Sequence, residues 1–405
     1  VANQFLTIGM ITRESAMVLE NSIKVVQRIN KEYSSEFAKN GAKIGNVVNV
    51  RKPPRYQGRS GQALQPEDIT ETSVPLTLTT QFGVDMLYTT SDLLLNIDDF
   101  SKRIIQPAIK AIANRVDFDA TLLYQTVYNT IGTPGSIPNA LLTYLQVNQR
   151  LSEEACPPDD RCIVITPAME ATIVDALKGL FNSQPKLKAQ YETGNMQDKS
   201  LGFADWYMDQ NIRTHTVGPL GGSPAVNGAS QSGASLITNG WTAAAANRLK
   251  KGDVFTIGSG ATGVFAVNPQ NRQSTGALRQ FVVTADTSSD GSGNLTIPIS
   301  PAIVTSGPFQ NVSQAPPNTA TINVFGAAST QTPQALAFHP DAFMMASADL
   351  PLPNGVDMKD QQNYKGVNIR LIRDYDINTD REPTRTDTLY GLAALYPELA
   401  CRLAS

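Results

Sequence analysis

The chain has 405 residues, of which 33 are basic and 36 acidic, for a formal net charge of −3. Charged residues make up 17%, against roughly 25% in typical soluble proteins, so Ser, Thr, Asn and Gln supply much of the polar surface. Near-neutrality excludes a nucleic-acid binder that works by counterion release. Cys156, Cys162 and Cys401 are too few for a disulfide framework and suit a reducing compartment. Charge is depleted where surfaces are desolvated against partners, so the composition points to extensive protein contacts. Length alone predicts two or three domains. No apolar run reaches the ~18 residues of a membrane span, and Glu14, Glu20 and Lys24 interrupt any signal-peptide layout. A soluble, intracellular product is expected.

In chain order, Ala16, Leu19, Ile23, Val26 and Asn30 step by three and four, and Val18, Val25 and Ile29 widen the face. This predicts a helix over 12–33, docked on its own domain or on a neighbour. A strand over 45–50 and the alternation of Val74, Leu76 and Leu78 predict a hairpin-like pair. The connection between them is long and extended, with Arg51, Lys52, Arg55 and Arg59 in its basic half and Glu67, Asp68 and Glu71 in its acidic half. Connections of this length are commonly functional or mobile, the alternative being a solvated loop. These seven residues are the candidate inter-subunit contacts.

Ile105, Ile109, Ile112, Val116, Ala120, Leu123 and Val127 form one apolar stripe at helical spacing. They predict a helix capped by Asp98 or Ser101, started or kinked at Pro107, and stopped by Gly132 and Pro134. At about 26–30 residues it would be roughly 40 Å long. Few compact enzymes need such a rod; an elongated structural subunit does. A helix over 139–151, a buried strand over 162–166 and a helix opened by Pro167 over 168–180 then give α/β character.

The composition shifts after Arg213. Between Thr214 and Ala337 only Arg248, Lys250, Lys251, Asp253, Arg272, Arg279, Asp286 and Asp290 carry charge. Short β runs over 254–257, 263–267, 280–284 and 295–297 are separated by turn clusters such as Asp290-Gly291-Ser292-Gly293-Asn294. They predict a small barrel or sandwich, inserted into the body and able to fold by itself. Beyond it, Val367, Ile369 and Leu371 alternate in a strand, and 389–396 is apolar and buried.

Several motifs test for chemistry. Gly258-Ser259-Gly260-Ala261-Thr262-Gly263 spells G-x-G-x-x-G, but a strand-like run follows it. Without a helix there is no amino-terminal dipole to hold a pyrophosphate, so the motif reads as a hairpin turn. Asp374-Tyr375-Asp376-Ile377-Asn378-Thr379-Asp380 begins like an EF-hand loop, yet Thr379 replaces the turn glycine and Arg385 the bidentate glutamate. A charged loop paired with Arg370, Arg373 or Arg381 is expected instead. His215 and His339 lack metal-ligand spacing and read as packing or surface residues. No catalytic, cofactor-binding or metal-binding residue is assigned.

The order of segments carries more than any motif. A terminal helix, an extended two-stranded arm, one long helix, an α/β body, an inserted β-rich region and a closing strand together resemble the major capsid proteins of tailed bacteriophages. The resemblance is to the HK97-like fold, in the coat proteins of the phage P22 type. Asp92-Leu93-Leu94-Leu95 before the long helix fits, as do Leu249-Lys250-Lys251-Gly252-Asp253 in the inserted region and Ala337-Phe338-His339-Pro340-Asp341-Ala342-Phe343 at its exit.

The resemblance implies an α+β fold with an inserted β-barrel domain. Its divisions would be an N-terminal helical arm at 1–43, an extension loop at 44–83 lying over a neighbouring subunit, and a peripheral domain with the spine helix at 84–138. An axial domain at 139–216 and the inserted barrel at 217–334 would follow, and 335–405 would return to the axial and peripheral domains. A loop at 221–233 would make contacts between capsomers, although here it is small and neutral. The implied function is self-assembly into an icosahedral shell around double-stranded DNA, bound without sequence specificity. The implied partners are copies of itself in pentamers and hexamers, a scaffolding protein and a portal. Neither a membrane nor a cofactor is implied, and the setting is a virion assembled in the host bacterial cytoplasm. The alternatives are a structural subunit of a tail or an encapsulating compartment, and then an enzyme with an inserted β-domain.

Overall fold

The computed structural model describes residues 15, 23–32, 45–58, 61–64, 66–89, 105–177, 200–243, 247–364 and 366–405. Internal contacts divide the chain into two units. The first combines Val1–Arg51, Ser73–Ala120 and Phe343–Leu395; the second combines Lys52–Thr72, Thr121–Ala342 and Tyr396–Ser405.

In chain order, β1 (Val47–Lys52) and β2 (Thr72–Thr77) form the expected pair, and β3 (Thr80–Thr89) follows directly. Helix α1 (Gln106–Thr121) passes into a 3-10 turn over Leu122–Thr126. Then come β4 (Thr130–Gly132), α2 (Leu141–Glu153), β5 (Cys162–Ile165), α3 (Pro167–Ala176), β6 (Asp205–Met208) and β7 (Thr214–Thr216). The β-rich stretch holds β8 (Gly222–Val226), β9 (Gly233–Trp241), β10 (Val254–Ile257), β11 (Phe265–Val267), β12 (Ser274–Leu278), β13 (Gln280–Val283), β14 (Leu295–Ile303) and β15 (Ile322–Val324). The chain closes with β16 (Gln331–Phe338), β17 (Phe343–Ala348), β18 (Met358–Tyr364), β19 (Val367–Arg373), β20 (Arg381–Ala394) and β21 (Ala400–Ala404).

In the first unit, β20 is the long axis of a sheet, with β3 along one side and β17 and β19 on the other. The apolar stripe of α1 is buried as its spacing requires: Ile109, Ile112 and Ala120 are completely covered.

The rod is nonetheless shorter at its carboxyl end than the spacing predicts. Its α-helical part ends at Thr121, and Val127 is already extended, so it stops before reaching Gly132 and Pro134. The reason is tertiary. Residues 127–129 carry the chain to β4, which pairs in parallel with β21, and the Arg402 N–H donates to the Asn129 carbonyl at 2.8 Å. Gly132 serves that pairing, because at φ +99° a Cβ would lie 2.2 Å from the Ala404 carbonyl oxygen. The expected caps Asp98 and Ser101 lie outside the described residues.

Most of the helix expected over 12–33 also lies outside the described residues. Within 23–32 the chain makes a 3-10 turn at Val26–Arg28, and Ile29 is already extended. Two interactions override the helical spacing there. The buried Asp117 carboxylate accepts the N–H groups of Lys24 at 2.5 Å and Val26 at 3.1 Å, and Asn30 bridges to Met344. Ile23, Val26 and Ile29 are still buried, so the spacing marks which residues are covered without giving their backbone geometry.

The second unit contains two six-stranded sheets. One runs β4-β21-β16-β5-β6, with β7 paired to β16. Thr166 caps α3 by accepting the Met169 N–H, and Pro167 takes the first turn, as expected. The other runs β15-β10-β13-β14-β9-β8. It nearly closes on itself, because Val226 at the end of β8 exchanges backbone bonds with Thr319 and Ala320 beside β15 at 2.9 Å each. Inside it, Phe255 and Phe281 stack at 5.8 Å among Leu236, Ile257 and Ile297. The fold is thus α+β, rich in strand, with a barrel-like sheet between β7 and β16.

Three local expectations change. The stretch 221–233 is only partly a loop: β8 takes 222–226 and β9 begins at Gly233, leaving 227–232 as the hairpin tip. Gly258–Gly263 holds a 3-10 turn between strands of different sheets, and a strand follows it. Asp374–Asp380 joins β19 to β20, but Arg370 and Arg373 reach elsewhere. They bind Asp387 and Glu382 on β20, while Asp376 holds its own turn through Asn378 and Thr379 and meets Arg381 in a backbone bridge.

A fragment of residues 216–332 is expected to give dispersed β-sheet amide signals by NMR. Phe281→Ala should cost it about 3–5 kcal/mol, read as a collapse of that dispersion or a large fall in the urea midpoint.

Candidate functional site

Proline and glycine keep the β1–β2 connection extended, so its described residues lie outside any sheet and their side chains are available for contacts. Arg51 is exposed at the end of β1. Lys52 is half-buried, its ammonium 4.8 Å from the centre of the Tyr396 ring. Burial holds its pKa below the ordinary lysine value, with Glu398 opposing and Arg55 reinforcing the shift. Arg55 is exposed, pairs with Glu398 at 3.0 Å and lies 5.8 Å from the Phe309 ring. Arg59 lies outside the described residues.

The acidic half has two roles. Glu67 accepts the N–H groups of Gln57 and Gly58 at 2.7 Å each, folding the connection back on itself. Asp68 and Glu71 are exposed, and Asp68 lines an open hollow of about 540 Å³ together with Arg55, Glu67 and Phe309. The structure therefore brings Arg55, Glu67 and Asp68 around one hollow and sets Lys52 against Tyr396.

Sequence reasoning missed the apolar part of this surface. Tyr56, Leu64 and Ile69 on the connection are 55%, 84% and 67% exposed. Their presence in a loop otherwise made of turn formers and charges was the available signal. It also missed Glu398, Arg272 and Phe309, which come from distant parts of the chain and carry no local pattern.

A second polar constellation ties the barrel to the body of the same unit. His215, expected as a packing or surface residue, is buried between the Asp253 carboxylate at 2.7 Å and the Tyr124 hydroxyl at 3.1 Å. Asp253 also accepts the N–H groups of Gly218 and Lys250. Arg402 donates to the Gly252 carbonyl at 2.8 Å, and burial lowers its pKa to about 10. Arg279 and Glu154 form a buried pair at 2.6 Å, while Gln280 exchanges two hydrogen bonds with the Thr130 backbone. These groups are fixed by one another and serve cohesion.

Among the described residues no group of three His, Cys, Asp or Glu is placed to hold a metal, and no helix is long and apolar enough to cross a membrane.

A family model for the P22 coat protein, gene protein 5, matches residues 51–403. The chain belongs to the P22 coat protein family: it is a major capsid protein, a structural component of a virion that forms its shell with copies of itself. No curated protein matches it. Among solved structures it is similar to one from Mycobacterium phage Che8, at 12% identity and a TM-score of 0.46, covering 94% of this chain and 90% of that one. It is also similar to the capsid of Cyanophage P-SCSP1u, at 11% identity and 0.44, covering 89% and 83%. The mature capsid of bacteriophage PhiM1 gives 10% and 0.42, covering 89% and 82%.

Glu154→Ala would leave Arg279 charged and buried without its partner, at a cost of about 3–5 kcal/mol, measurable as a lower denaturation midpoint. The three cysteines are buried, and burial pushes the Cys401 thiol up to about 12. Below that pH the thiol stays protonated, so Cys401 should resist thiol reagents at about pH 8 in the folded subunit and react after denaturation.

Proposed function

We propose that the capsid subunit assembles chiefly through the β1–β2 connection, with the N-terminal arm and the inserted barrel as further contact surfaces. The observation that carries this reading is the exposure of Tyr56, Leu64 and Ile69 between charged residues on one extended segment. Apolar surface is stabilised by removal from water at about 25 cal/mol per Å², and a second copy of the chain supplies the cover. Arg51, Lys52, Arg55, Arg59, Glu67, Asp68 and Glu71 then fix register, since mixed charges give specificity more than affinity.

The finer reading follows the HK97-like arrangement: an extension loop at 44–83, a peripheral domain at 84–138, an axial domain at 139–216 and an inserted barrel at 217–334. Leu142 and Leu145 on α2, 63% and 41% exposed, support a further covered surface in the axial region. Subunits would form pentamers and hexamers around double-stranded DNA, with a scaffolding protein and a portal, in the host bacterial cytoplasm. The net charge of −3 supports a shell that encloses DNA without gripping it. The protein has no catalytic role in this reading.

Reversing the charge of Arg51, Lys52, Arg55 and Arg59 together should lower the yield of sedimenting shells while leaving the subunit's circular dichroism spectrum unchanged. An undiminished shell yield would remove the connection from the assembly interface.

A further inference from the structure

A connection without ladder bonds rests wherever its side chains and carbonyls find partners. Here the partners lie in the same unit of the same chain. Glu398 binds Arg55 at 3.0 Å, and Arg272 donates to the carbonyls of Tyr56 at 3.0 Å and Gln57 at 3.4 Å. The rings of Tyr396 and Phe309 lie beside Lys52 and Arg55. Arg272 stands at φ +55° on a turn held by Asn268, which accepts the Arg272 N–H at its carbonyl and the Gln270 N–H at its side chain. Its guanidinium is therefore presented from a fixed turn.

These contacts share a character. They are polar or cation–π, and the Arg55–Glu398 pair is partly solvated, its side chains 41% and 20% exposed. Such pairs are individually weak. The apolar side chains of the connection take no part, since Tyr56, Leu64 and Ile69 face solvent. Permanent docking would bury the apolar groups and leave the charges outside. This segment leaves its apolar groups outside and meets the rest of its unit through Arg55 and two backbone carbonyls.

We propose that Glu398 and Arg272 form a latch that holds the arm on its own chain and releases it when a second copy takes it up. The proposal rests on the reading of the connection as an inter-subunit arm and adds its regulation. The latch competes with assembly: each contact that steadies the resting arm must open before the arm reaches a neighbour, so the latch slows nucleation without weakening the finished shell.

Glu398→Gln and Arg272→Ala test this in the full-length unassembled subunit, and neither alters the arm itself. Each should raise the rate of chymotrypsin cleavage after Tyr56 by about two- to fivefold and shorten the assembly lag seen by light scattering, with final shell yield unchanged. Cleavage at the wild-type rate in both variants would overturn the latch, as would faster cleavage with an unaltered lag. Failure of the arm reading itself appears separately, as normal shell yield from the four-residue charge reversal.

Discussion

Strand β16 is the constraint on which the second unit depends. It pairs with β21 along Gln334–Phe338, with β5 along Leu336–Phe338 and with β7 along Gln331–Pro333. Its residues from Ala335 to Phe338 are buried. Because Thr216 and Gln331 face each other across one ladder, the chain leaves the body and returns to it at neighbouring positions. An inserted barrel therefore leaves the strand order of the body sheet undisturbed. The last strand, β21, completes the same sheet from the other side.

The low charge content conceals a selective use of charge. Arg279–Glu154, His215–Asp253 and Arg402 are buried where the barrel meets the body. A buried ion pair such as Arg279–Glu154 contributes little net stability compared with apolar packing, because desolvation offsets its attraction. What these groups supply is a definite seating, since a shifted barrel would leave buried polar groups without their partners. On the β1–β2 connection the Arg55–Glu398 pair is partly solvated, and such pairs are individually weak.

Much of the fold was legible because burial imposes periods on sequence. The stripe from Ile105 to Val127, the runs at 162–165, 254–257 and 280–283, and the alternation of Val367, Ile369 and Leu371 all mark buried faces. What escaped was decided by partners distant in sequence. Asp117 turns Lys24 and Val26 away from a helix, β21 draws residues 127–129 out of one, and Asp387 and Glu382 take the arginines expected beside Asp376. The candidate surface was half visible: the charge clustering on the arm was plain, whereas Glu398 and Arg272 lie hundreds of residues away.

The adjacency of Thr216 and Gln331 makes the barrel's position a natural graft point. Paired strands stand about 5 Å apart, so a foreign domain with neighbouring ends would match the gap in the backbone. Geometry alone would not suffice, for the guest would have to answer Glu154 and His215, whose partners Arg279 and Asp253 depart with the barrel. A cargo that brings a cation for Glu154 and a hydrogen-bond partner for His215, or a body in which both are replaced by apolar residues, meets that condition.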